Sequence, residues 1–148
     1  MTDKLVVDTC VFIKGFFDAK SDCSELLSML KKTDARLVFS QNTLGEWLYI
    51  LKRTCHKSGI SDGQMIEVMQ EAMNLFRMGK SINTRHINQD EIAFVNDPDD
   101  QMFVNTAYAA KANYVITLDK KSGILSLKNV PFKCRTPKQY LQEMKALK

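Results

Sequence analysis

Two short apolar runs, each ending in an aspartate, constrain this chain most: Leu5-Val6-Val7 stops at Asp8, and Tyr114-Val115-Ile116-Thr117-Leu118 stops at Asp119. Neither run alternates polar with apolar residues, so neither suits a strand with one wet face. Short, continuous apolar strands belong to sheets covered on both sides, and such sheets are mostly parallel. Parallel strands need helical crossovers between them, and helical patterns fill the intervening sequence. The expected fold is α/β, a three-layer α/β/α sandwich around a short parallel sheet.

The crossovers can be traced from local signals. Residues from about Ser21 to Lys32 read as a helix with Leu26, Leu27, Met29 and Leu30 on its apolar side. Arg36 to Phe39 is a second strand. A helix from about Asn42 to Lys57 carries the apolar run Trp47 to Leu51. Ser61-Asp62-Gly63-Gln64 has the form of a capping box and opens a helix to about Met78. Its Met65, Met69 and Met73 recur at four-residue steps, a stripe expected to fill the core. Ser81 to Ile87 reads as a third strand, followed by a polar, irregular segment to Asn96. Asp97 is placed to cap a helix through Ala112, with Pro98 at its first position. Phe132 to Arg135 reads as a last strand, and Thr136-Pro137 opens a final helix holding Tyr140, Leu141 and Met144.

No repeat, low-complexity tract or flexible linker interrupts this series, so residues 1–148 are expected to form a single domain. A chain of 148 residues can bury a core without disulfides or structural metals. Cys10, Cys23, Cys55 and Cys134 form no C-x-x-C pair and have no histidine at zinc-ligand spacing, which points to free thiols. No apolar run approaches the roughly 20 residues needed to cross a bilayer, and the N-terminus has no signal-peptide pattern. A cytoplasmic protein without membrane attachment is expected. The net charge of +4 is compatible with a polyanionic partner but singles out none.

In open α/β folds, ligands bind beyond the carboxyl ends of the strands, so Asp8 and Asp119 are the first candidates for chemistry. Aspartate is also a common strand terminator; two at matching strand ends carry more weight than either alone. Asp100 stands at the third position of its helix, where an acid also interacts well with the helix dipole. Its spacing to Phe103, Ala107 and Ala110 puts it at the tip of the buried face. Glu46 falls opposite Leu44, Leu48, Leu51 and Cys55, and periodicity by itself makes it a solvated surface residue.

Taken in order, these segments resemble the PIN-domain family, in its branch of toxin ribonucleases from toxin–antitoxin pairs. The likeness rests on Val6-Val7-Asp8-Thr9, on Ser40 through Glu46 to Leu51, on Asp97-Pro98-Asp99-Asp100 followed by Phe103, Ala107 and Ala110, and on Tyr114 to Asp119. Thr136-Pro137 with Tyr140-Leu141 resembles the family's closing helix. No single block is specific, but their order along nearly the whole chain is. The resemblance implies a metal-dependent endoribonuclease in which Asp8, Glu46, Asp100 and Asp119 hold one or two Mg²⁺ or Mn²⁺ ions. It also implies an RNA substrate and a small antitoxin partner, and it allows a homodimer. Thr9 and Thr117 stand beside two of the acids, where their hydroxyls can hold carboxylates.

The chain departs from the family at Cys10, where many relatives have asparagine, which puts full activity and metal preference in question. Asp97 and Asp99 lie close enough to compete with Asp100 as the third acid, and helix register favours Asp100. His56 and His86 match no strand end and are expected at the surface. Lys52, Arg53 and Lys57, and separately Lys120 and Lys121, are candidates for phosphate contacts or simply solvated charges. Two other readings start from the same residues. Aspartyl-phosphate chemistry at Asp8 needs a second acid near the first strand, and Cys10 stands there instead. The remaining alternative is a PIN-like module that binds RNA or protein without cutting.

Overall fold

The computed structural model describes residues 2–147. Among them, a five-stranded sheet has the order β3-β2-β1-β4-β5, formed by Lys80–Ser81, Arg36–Phe39, Lys4–Val7, Tyr114–Ile116 and Lys133–Arg135. Every pairing is parallel. The helices are α1 (Thr9–Phe17), α2 (Asp22–Lys32), α3 (Gln41–Lys57), α4 (Asp62–Met78), α5 (Pro98–Ala110) and α6 (Pro137–Ala146). This is the α/β/α architecture expected from the short apolar strands: Leu5, Val6, Val7, Val115 and Ile116 are all buried.

The chain builds outward from β1 to β2 and β3, then crosses back to place β4 on the other side of β1. The junction between β1 and β4 is therefore the point where strand order reverses, and a crevice opens there. Val7 pairs with Ile116, and the Asp8 amide donates to the Ile116 carbonyl at 2.9 Å. Asp8 and Thr117 thus leave the sheet side by side.

Helix α1 is absent from the sequence-based reading. It follows β1 without a loop, because Asp8 both ends the strand and caps the helix, its Oδ1 accepting the Thr9 amide at 2.7 Å. Gly15 lets α1 close on α2: a Cβ there would lie 2.4 Å from Leu27 Cδ1. Phe12 stacks on Trp47 of α3, which stacks in turn on Phe76 of α4. Phe12 and Phe76 also meet directly, and this aromatic cluster, not the Leu44–Leu48 side, centres the buried seam of α3, which runs through Thr43, Trp47, Leu51 and Cys55.

Other boundaries shift for local reasons. The third strand is only Lys80–Ser81; Asn83 Oδ1 accepts the Arg85 amide and turns the chain away. Helix α5 ends at Ala110, where Lys111 adopts a left-handed conformation (φ 53°). The regular part of β4 ends at Ile116, since Thr117 Oγ1 accepts the Asp119 amide in a tight turn. The methionine stripe of α4 reaches the core only at Met69, which is partly buried against it; Met73 is half exposed, as is Ile66, and Ala72, Leu75 and Phe76 fill the interior. Among the described residues, no helix is long and apolar enough to cross a membrane. Cys23, Cys55 and Cys134 are buried free thiols, and Cys10 is a free thiol turned toward Asp8.

Candidate active site

At the crevice between β1 and β4, one open pocket of about 770 Å³ is lined by Asp8, Glu46, Asp100 and Asp119 together. Each acid reaches it from a different element. Asp8 is buried at the β1–α1 junction, and Glu46 comes from the second turn of α3. Asp100 sits on the first turn of α5, and Asp119 lies in the turn after β4. The start of α3 is tied to the third turn of α5 by a buried bond from Thr106 Oγ1 to Ser40 Oγ, 3.0 Å long. Ser40 is the residue that caps α3, so the bond sets where Glu46 lies relative to Asp100.

The register argument for Asp100 holds in the structure. Asp97 caps α5 by accepting the Asp99 amide, and Asp97 and Asp99 remain exposed. Asp100 is buried on the same side as Phe103, Ala107 and Ala110. For Glu46 the periodicity argument fails. Because the seam of α3 is centred on Trp47, the neighbouring Glu46 is half-buried on the pocket flank, in line with Ile50 and Thr54.

Two threonines hold the acids. Thr117 Oγ1 donates to Asp8 Oδ2 at 2.6 Å while accepting the Asp119 amide at 3.0 Å. Thr9 Oγ1 donates to Glu46 Oε2 at 2.6 Å. The Asp119 carboxylate accepts the Lys121 and Ser122 amides at 2.8 and 3.1 Å. The Cys10 thiol lies 3.5 Å from Asp8 Oδ2, as a weak donor.

Crowding shows in the acid–base behaviour. Burial raises the Asp100 carboxyl to about 7, with the charges of Asp8, Asp97, Asp119 and Glu46 adding to it. Burial also raises Asp8, against the opposing hydrogen bonds from Thr117, Cys10 and Thr9. Glu46 is raised by burial and by the charges of Asp8, Asp99 and Asp97, against its bond from Thr9. Burial and the Asp8 charge push the Cys10 thiol up to about 12, so it is a neutral donor at ordinary pH.

One atom here has no partner: Asp100 Oδ2 is buried without a hydrogen bond. An oxygen with unused lone pairs beside three further carboxylates suits a hard divalent cation, which would satisfy it and relieve the repulsion. As the side chains stand, no three His, Cys, Asp or Glu among the described residues converge to hold an ion. The Thr9 bond to Glu46 and the amide bonds to Asp119 point those carboxylates toward protein donors.

The sequence reading missed the residues α1 brings to the pocket, namely Ile13, Lys14 and Phe17. Their three-, four- and seven-residue spacing from Cys10 was the available signal. His56 and His86 are exposed and outside this pocket. Lys52 lines a separate groove with Met65, Met69 and Met73, whereas Lys120 and Lys121 directly follow Asp119.

The sequence profile of the PIN domain matches residues 4–121, which takes in all four acids. No curated protein matches the chain in sequence. Among solved structures, the fold is similar to that in the crystal structure of VapBC2 from Rickettsia felis bound to a DNA fragment from its promoter. The TM-score is 0.58 over 90% of this chain and 98% of that one, at 12% identity. At that identity the likeness is one of fold.

Proposed function

Because the chain belongs to the PIN-domain family, whose members are generally nucleases, we propose that it is a metal-dependent endoribonuclease and the toxin of a toxin–antitoxin pair. The observation that supports the reading is that Asp8, Glu46, Asp100 and Asp119 all line one pocket, with Asp100 Oδ2 left unpaired. A cluster of carboxylates repels a phosphodiester unless cations intervene. The chemistry of these oxygen donors fits Mg²⁺ or Mn²⁺, which the acids would hold once Glu46 and Asp119 turn from their protein donors. When bound, such an ion supplies Lewis acidity, lowering the pKa of water and stabilising charge on phosphate oxygens.

The chain's own residues do the rest. Asp8 is the most fixed acid, held by Thr9, Cys10 and Thr117, and serves as the anchor of the site. Glu46 and Asp119 are held by bonds that must loosen on loading, so they adjust to the ion. Asp100, raised to about 7, exchanges its proton near neutral pH and gains most from a cation. Thr117 keeps Asp8 and the Asp119 backbone together.

The toxin reading is supported by the fold's likeness to VapBC2. The open pocket leaves room for a partner to cover it. An antitoxin segment presenting arginine would pair with these carboxylates and compete with the metal. The test is cleavage of mixed RNA in Mg²⁺, Mn²⁺ or EDTA. Cleavage with metal, none in EDTA and none by Asp8→Asn is the expected result. Metal-independent cleavage, or equal cleavage by Asp8→Asn, would overturn it. RNA binding without cleavage under every condition favours the non-cutting PIN-like module.

A further inference from the structure

Cys10 lines the pocket, yet the chemistry proposed for the acids makes no use of its sulfur as a ligand. It stands in the first turn of α1, with its sulfur 3.5 Å from Asp8 Oδ2 and 4.0 Å from Thr117 Oγ1. Both atoms of the closer pair are held in place. The sulfur rides on a helix that Asp8 itself caps. Asp8 Oδ2 accepts the Thr117 hydroxyl at 2.6 Å while Oδ1 accepts the Thr9 amide. The other cysteines, Cys23, Cys55 and Cys134, are buried and do not line this pocket.

The spacing of sulfur and oxygen suits two ligands of one ion. Zinc lies about 2.3 Å from a thiolate and about 2.0–2.2 Å from a carboxylate oxygen, so a tetrahedral angle sets the two ligand atoms about 3.5 Å apart. A separate observation also points to a ligand. Asp100 is only 9% exposed, and its Oδ2 has no hydrogen-bond partner although the residue lines the same pocket.

Resting on the reading of these acids as a metal centre, we propose that Cys10 makes the centre a site for soft divalent ions, Zn²⁺ above all, which bind through Cys10, Asp8 and Asp100 and shut the enzyme off. Thiolate sulfur selects zinc over magnesium and manganese, which favour oxygen ligands. On binding, the metal–sulfur bond forms, the S–H bond breaks, and the proton that faced Asp8 Oδ2 goes to solvent. Sulfur and oxygen already stand at ligand spacing, and Asp100 completes the set by turning toward them. Glu46 and Asp119 can keep their protein donors. The soft ion then occupies the Asp8 oxygen that Mg²⁺ or Mn²⁺ requires, so the two classes of ion exclude each other.

Cys10→Ser tests this, because a hydroxyl keeps the hydrogen bond to Asp8 but replaces a soft donor with a hard one. Titration with Cd²⁺, a spectroscopic stand-in for zinc, should give the wild-type protein an ultraviolet thiolate-to-metal charge-transfer band. The band should be missing in Cys10→Ser, which retains the three other cysteines, and much weaker in Asp8→Asn. Calorimetry should show Zn²⁺ binding weakened by about tenfold or more in Cys10→Ser, a loss that even an outer partner of a metal ligand can bring. Mn²⁺ affinity should change little. Zn²⁺ should inhibit RNA cleavage by the wild type in Mn²⁺, and Cys10→Ser should need about tenfold more of it. No band in the wild type, or the same band in Cys10→Ser, would overturn the soft site and leave the nuclease reading intact. A band with cleavage unaffected by Zn²⁺ would overturn the shut-off. A band lost in Cys10→Ser, from a protein that cleaves no RNA in any metal, would keep the soft site and remove the nuclease. Wild-type protein that binds neither Cd²⁺ nor Mn²⁺ would overturn both.

Discussion

The hydroxyl of Thr117 donates to Asp8 Oδ2 at 2.6 Å and accepts the Asp119 amide at 3.0 Å, so one side chain joins the first and last acids of the pocket. The bond exists because Val7 and Ile116 are paired across β1 and β4, which brings the next residues of both strands out together. Thr117 is therefore a positioning residue. Thr117→Val should lower kcat/KM for RNA cleavage by about tenfold or more, the range for outer-sphere partners of metal ligands. Thr117→Ser, which keeps the hydroxyl, should restore most of the loss. A valine variant as active as wild type would show that Asp8 needs no such tether.

Stability without metal should depend on pH in an unusual direction. The Asp100 carboxyl is raised to about 7 in the fold, and Asp8 and Glu46 are raised as well. A carboxyl raised on folding favours the native state fully below its unfolded value, about 4, and loses that contribution as pH rises through the folded value. The melting temperature in EDTA should accordingly fall between about pH 5 and pH 8. Asp100→Asn should melt higher than wild type at the upper end and show a shallower fall. A wild-type protein that melts lower at pH 5 than at pH 8 would contradict the crowding described here.

The start of α5 offers three adjacent candidates, and the structure separates them. Asp97 is occupied as the helix cap and Asp99 is exposed, while Asp100 turns inward with an unpaired oxygen. Asp100→Asn should reduce cleavage to background, and Asp99→Asn should keep most of it. Single-turnover rates of the two proteins decide the matter; a larger loss in Asp99→Asn would reassign the third acid.

Much of this site could be read from the chain because the strands are short. Leu5-Val6-Val7 and Tyr114 to Leu118 carry no charged residue, so the aspartates that end them stand out, and strand-end position is itself informative in a parallel sheet. Asp100 followed from the spacing of Phe103 and Ala107. Glu46 was not legible from periodicity, since the seam of α3 is set by contacts distant in sequence, the packing of Trp47 against Phe12 and Phe76. Helix α1 was missed for a related reason. Asp8 serves as strand end and helix cap at once, leaving no loop to mark the start, and with the helix went Lys14 and Phe17. The stripe of Met65, Met69 and Met73 misled in the opposite sense: helical periodicity marks an apolar face without saying that anything covers it.

A partner should be evident in cells. Expression of the wild-type chain alone should slow growth, and co-expression with a short open reading frame beside its gene should relieve it. Asp8→Asn should be harmless yet still bind that partner, because the groove around the acids is intact. Normal growth with the wild-type chain, and no adjacent partner gene, would indicate an RNA-processing role without an antitoxin.

If the four carboxylates from separate elements act as one metal centre, Mn²⁺ titration followed by calorimetry and melting will show it. A ligand that binds only the native state raises its melting temperature with concentration. Wild-type protein should bind Mn²⁺ and melt higher in its presence, and Asp8→Asn and Asp119→Asn should each lose most of the heat and of the shift. Equal binding and equal stabilisation in all three proteins would contradict the site.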